Sequence, residues 1–83
     1  MTGPMRQTRG YSAAPFSRYD LQNAEQRIAE VRSYIQRERS RLRRLQPASA
    51  EAMAARRALA ALTRTLGHFQ DHRNRIEDDL RGH

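Results

Sequence analysis

An all-α fold, an antiparallel two-helix coiled-coil hairpin, is what this 83-residue sequence predicts, and three observations carry it. Apolar residues recur in alternating steps of three and four as Ala52, Ala55, Leu59, Leu62, Leu66, Phe69, Ile76 and Leu80, with one gap at Arg73. That spacing keeps a single stripe of a helix facing a partner. A second seam runs upstream through Leu21, Ala24, Ile28, Val31, Ile35, Leu42 and Leu45, broken once at Glu38. Between the two stands Pro47, which removes a backbone donor and biases Gln46 out of the helical region. If the chain reverses over 46–50, Leu45 meets Ala52, Leu42 meets Ala55, Ile35 meets Leu62, Val31 meets Leu66, Ile28 meets Phe69 and Leu21 meets Ile76. No layer is left without a partner.

The elements follow in order. Residues 1–16 contain two prolines, two glycines, Arg6 and Arg9 and no hydrophobic period, so a flexible basic arm is expected there. Ser17 is placed to cap a helix, with Asp20 three residues on as the capping-box acid and Phe16 and Leu21 at the staple positions. A first helix is expected over 18–46, with Phe16 covering the open end near Leu80. The turn is expected at 46–50, with Ser49 as the cap of the second helix and Glu51 near its positive end. That helix is expected over 50–81, with Gly82 as its stop. Helical hairpin 17–83 and arm 1–16 are thus the two parts of the chain.

The two seam breaks place charge at core positions, which is costly unless the charge escapes or pairs. Glu38 falls opposite Leu59, with Arg39, Arg41 and Arg56 nearby; Arg73 falls opposite Ala24, within reach of Glu25 and Glu77. Both read as register devices, since a slip of one heptad sets each charge against a large apolar neighbour.

Composition bounds the function. Hydrophobic content is 37%, and the mean hydropathy is −0.98, so two helices have little core to share. A lone hairpin of this size holds only ~3–5 kcal/mol from its core, which makes self-association an expectation: a dimer seam would give a four-helix bundle. There is no cysteine, so disulfides, thiolate metal sites and thiol redox chemistry are excluded. The N-terminal stretch has no apolar run of the secretory kind, and no stretch approaches the ~20 apolar residues that span a bilayer; a soluble, cytoplasmic protein without a membrane role is expected.

Charge collects at one place. All sixteen basic residues are arginine, which fits a GC-rich genome as well as it fits a demand for bidentate or stacked guanidinium contacts. Seven of them, Arg37, Arg39, Arg41, Arg43, Arg44, Arg56 and Arg57, fall around the turn against only Glu38 and Glu51, for a local charge of about +5 in a chain whose total is +7. Such a tip attracts phosphate backbones or acidic protein surfaces, although charge runs on helices are most often solvated faces and Tyr34 is the nearest aromatic residue for base stacking. A second candidate contact is the strip Ala54, Ala58, Ala61 and Thr65 on the flank of the second helix, small enough for another helix to approach closely. Alanine also serves there simply as the best helix former. Met53, Ala60 and Gly67 lie further round the same helix.

Chemistry is not placed on this scaffold. His68 and His72 stand four apart on one helix, but Phe69 follows where a zincin needs glutamate, and two ligands make an incomplete site. Glu77, Asp78 and Asp79 cluster near a helix C-terminus with no pocket to perturb them. There is no phosphate-binding glycine loop, nucleophile elbow or triad, and a two-helix rod has no deep concave site. The reading is a non-enzyme with no metal, cofactor or small-molecule substrate.

The runs Ala24-Glu25-Gln26-Arg27-Ile28-Ala29-Glu30, Ala55-Arg56-Arg57-Ala58-Leu59-Ala60-Ala61-Leu62 with Leu66, and His72-Arg73-Asn74-Arg75-Ile76 together resemble a group of short uncharacterised helical-hairpin proteins of rhizobia-like alphaproteobacteria. The resemblance covers about residues 20–80, with Asn74 where an aspartate is usual and a denser set of arginines at the tip. It implies a helical hairpin of similar length and brings no activity with it. The function expected is therefore a protein-binding hairpin, a homo-oligomeric adaptor or regulator, whose partners are itself and another protein. The alternative is a nucleic-acid-associated accessory protein that binds phosphates through the arginine tip.

Overall fold

A computed structural model describes residues 16–82, and the arm expected over 1–16 lies outside the described residues except for Phe16. Two helices form, α1 over Arg18–Arg43 and α2 over Ala50–Gly82, and they pack along each other as a hairpin. At about 1.5 Å per residue the 33-residue α2 is ~50 Å long, so the unit is a rod.

The start of α1 is closed as its residues dictate. Ser17 is extended at φ −125° and ψ 173°; the Asp20 backbone N–H donates to its hydroxyl at 3.3 Å, and the Ser17 N–H donates to the Asp20 carboxylate at 2.9 Å. Two orphan donors of the first turn are satisfied reciprocally.

The other end of α1 comes earlier than the sequence predicts. The helix stops at Arg43 rather than running to 46, and Arg44 and Leu45 fold into a tighter turn whose N–H groups reach Arg41 O at 3.0 Å and Leu42 O at 3.1 Å. The cause is Pro47, which has no N–H to give the Arg43 carbonyl and whose ring would crowd it. Helical bonding therefore fails four residues upstream of the proline. Across the six-residue turn, the Arg56 guanidinium donates to the Pro47 carbonyl. Ser49 then caps α2: the Ala52 N–H donates to its hydroxyl at 3.0 Å, while that hydroxyl donates to Gln46 O at 2.8 Å.

At its far end α2 continues through Gly82, which does not adopt a positive φ. The expected glycine stop is not used there. Phe16 also departs from expectation. Its ring stands edge-on to His72, with centroids 5.8 Å apart at 81°, about two helical turns short of Leu80, which is left 37% exposed. Phe16 thus takes an aromatic edge contact on the flank of α2 instead of covering Leu80.

The core is the double seam. Ala24, Ile28, Val31 and Ile35 of α1 and Ala52, Ala55 and Ile76 of α2 are buried. One groove between the helices is lined by Ile35, Thr63 and Leu66, and another at the open end by Leu21, Glu77 and Leu80, which puts the expected layers within a turn of one another. Burial is uneven: Leu59, Leu62, Leu66 and Phe69 of α2 are only half-buried, although Ile35, Val31 and Ile28, expected to face the last three, are closed over.

Candidate functional site

Two surfaces follow from this geometry, a cationic tip and the uncharged flank of α2. At the tip, several arginines are engaged locally. Arg41 Nη1 lies 2.8 Å from Glu38 Oε2, Arg43 Nη2 donates to the Ser40 hydroxyl at 3.2 Å, and Arg56 holds the turn carbonyl of Pro47. The Arg37 guanidinium sits 4.9 Å from the centroid of the Tyr34 ring. This stacking makes Tyr34 part of the tip's surroundings, a role its i, i+3 spacing from Arg37 encodes. Arg39, Arg44 and Arg57 are exposed and form no side-chain hydrogen bond or ion pair among the described residues. Thus the tip's seven arginines fall into a pinned set and a set turned to solvent.

The seam break at Glu38 is explained by Arg41, one turn on, which receives the carboxylate while the Glu38 side chain remains 22% exposed. The break at Arg73 is looser. Arg73 Nε lies 4.0 Å from Glu77 Oε1 and donates to Asn74 Oδ1 at 2.9 Å, so the guanidinium is held at the edge of the core by its own helix rather than by Glu25 of α1. That is the easier solution for a long side chain, since it leaves the charged head partly in water.

The flank of α2 is smooth. Ala58 and Thr65 are half-buried beside the seam, and Ala54 and Ala61 are exposed outside them. Across the interhelical boundary on the same side stands Tyr34, 52% exposed. The opposite boundary is a polar groove, where Arg32, Gln36 and Arg39 rim an apolar floor of Ile35 and Leu66. Leu59, Leu62, Leu66 and Phe69 have apolar surface reaching both boundaries, because one facing helix shields only one stripe.

His68 is exposed and His72 packs against Phe16, and among the described residues no group of three or more His, Asp or Glu side chains gathers as a metal site would require. No helix in the described residues is long and apolar enough to cross a membrane. Comparisons with protein families, with curated proteins and with solved structures give no match to this chain.

Proposed function

We propose that this chain is a small, non-enzymatic, protein-binding helical hairpin that self-associates and serves as an adaptor or regulator. The supporting observation is the uneven burial of its seam. Four large apolar residues of α2, Leu59, Leu62, Leu66 and Phe69, retain exposed surface next to a flank with no charge at Ala54, Ala58, Ala61 or Thr65. A third helix laid there would bury apolar area at ~25 cal/mol per Å² against a stretch of α2 flank, 54–65, that carries no charge at those four positions. Sedimentation equilibrium at micromolar concentration tests it. A dimer is expected, and Ala61→Arg is expected to dissociate it without loss of helical content. A monomer across the accessible range overturns the self-association.

The second reading, phosphate binding by the tip, is favoured by one observation: Arg39, Arg44 and Arg57 are turned to solvent with no acidic partner among the described residues. Fluorescence anisotropy with duplex and single-stranded DNA then shows affinity falling steeply with salt. Absence of binding at low salt removes this reading.

A further inference from the structure

Self-association does not by itself say how the second copy sits, and two independent features of the rod bear on it. The first is where uncharged surface lies. Of the two boundaries between the helices, one carries Arg32 and Arg39 above its apolar floor. Burying it would desolvate two guanidinium groups with no acidic partner among the described residues. The other boundary has half-buried Leu62 and Phe69 at its α2 side, beside the uncharged run Ala54, Ala58, Ala61 and Thr65, and is edged on α1 by Asp20, Arg27, Tyr34 and Arg41, charges of both signs. A second copy can pair those charges while it covers the apolar surface.

The second feature is charge polarity along the rod. The tip, residues 37–57, has a charge of about +5. The opposite end, residues 18–30 together with 70–82, has five arginines against seven carboxylates, about −2. At a Debye length of ~8 to 10 Å only groups lying side by side count. Two rods laid tip to tip therefore set +5 against +5, whereas two laid tip to base set +5 against −2 at both ends, with the two tips too far apart to interact.

We propose, resting on the self-association above, that the second copy docks on the Tyr34 boundary inverted end for end, as an antiparallel dimer of hairpins. The register fits this arrangement. Inverting the rod about the middle of α1, between Glu30 and Val31, brings Arg41 level with Asp20 of the second copy and Tyr34 level with Arg27 of the second copy. All four positions lie seven apart on one edge of α1, so they face the same boundary. Arg41 then shares its charge between Glu38 of its own chain and a carboxylate of the second copy, and Tyr34 offers a ring face to a second guanidinium. Helices α2 and α2 of the second copy run antiparallel in contact. Opposed charge gives orientation and the apolar boundary gives affinity.

The chain has no cysteine, so one introduced thiol reports geometry without background. Ala48→Cys, exposed in the turn, is labelled with a nitroxide, and the tip-to-tip distance is read by pulsed dipolar spectroscopy on the full chain, with circular dichroism to check that the hairpin is intact. The inverted dimer places the two labels ~55 Å apart, from 1.5 Å per residue counted to the centre of α2. A dimer with labels under about 40 Å overturns the inversion while leaving self-association intact, and a monomer with no dipolar coupling overturns both. The salt response is an independent check. The dimer's Kd is expected to rise roughly tenfold between ~50 and ~300 mM salt, because attraction between opposite ends is screened. A dimer that tightens as salt is added, the sign of relieved tip-to-tip repulsion, overturns the inversion.

Discussion

Ile76 is the largest fully buried side chain among the described residues, and its position explains why. It lies one turn beyond His72, whose imidazole meets the Phe16 ring edge-on, and on the same turn as Arg73, which is half-buried at its seam position. Truncating a fully buried isoleucine costs ~2–5 kcal/mol, and a hairpin core of this size holds only ~3–5 kcal/mol. Ile76→Ala is therefore expected to leave the chain largely unfolded at low concentration, seen as loss of the helical signal in circular dichroism. Arg73 carries the opposite expectation. Its ion pair with Glu77 is at the 4.0 Å limit, and its side chain is 27% exposed, so the charge contributes little while occupying a seam position. Arg73→Leu should raise stability by ~1–2 kcal/mol in a urea titration. Since the arginine also penalises slipped pairings, the same variant should show a broader distribution of oligomers by light scattering.

At the scale of the element, the two helices differ in what their sequences disclosed. The Ser17 and Asp20 cap and the Ser49 cap were legible because each depends on a side chain a few residues from its target. The double seam was legible because its period sets which face turns inward. The end of α1 was not, since the run of apolar positions continues to Leu45 while the backbone answers to the missing donor at Pro47. Nor was the half-burial of Leu59, Leu62, Leu66 and Phe69, because periodicity gives the direction of a side chain and not how much a single facing helix covers. The contact between Phe16 and His72 has no local signal at all; it depends on how the chain enters α1. One element-level weakness is open to test. Gly67 lies inside α2, and a Cβ built there meets nothing within 4 Å. Glycine costs a helix interior ~1 kcal/mol relative to alanine through backbone entropy. Gly67→Ala should accordingly stabilise the protein by about that amount, with the melting temperature raised and the oligomeric state unchanged, since the residue stands away from the Tyr34 boundary.

For the whole molecule, a rod of two helices has a high ratio of surface to core, and this makes its stability a question about concentration. If the exposed apolar surface of α2 is closed by a second copy, folding and association are linked, and the folded state is favoured by mass action. Each tenfold rise in chain concentration then adds about 1.4 kcal/mol per dimer. With an unfolding entropy of ~2.1 cal/mol/K per residue over the described span of both copies, that corresponds to a melting temperature higher by roughly 5 °C per tenfold. A monomeric hairpin melts at the same temperature at every concentration. Thermal melts followed by circular dichroism over two decades of concentration separate these cases without any knowledge of a partner. The same series at two salt concentrations adds the sign that matters for orientation. An inverted dimer should lose melting temperature as salt screens each tip from the other copy's acidic end, and the loss should shrink in samples dilute enough that association no longer contributes.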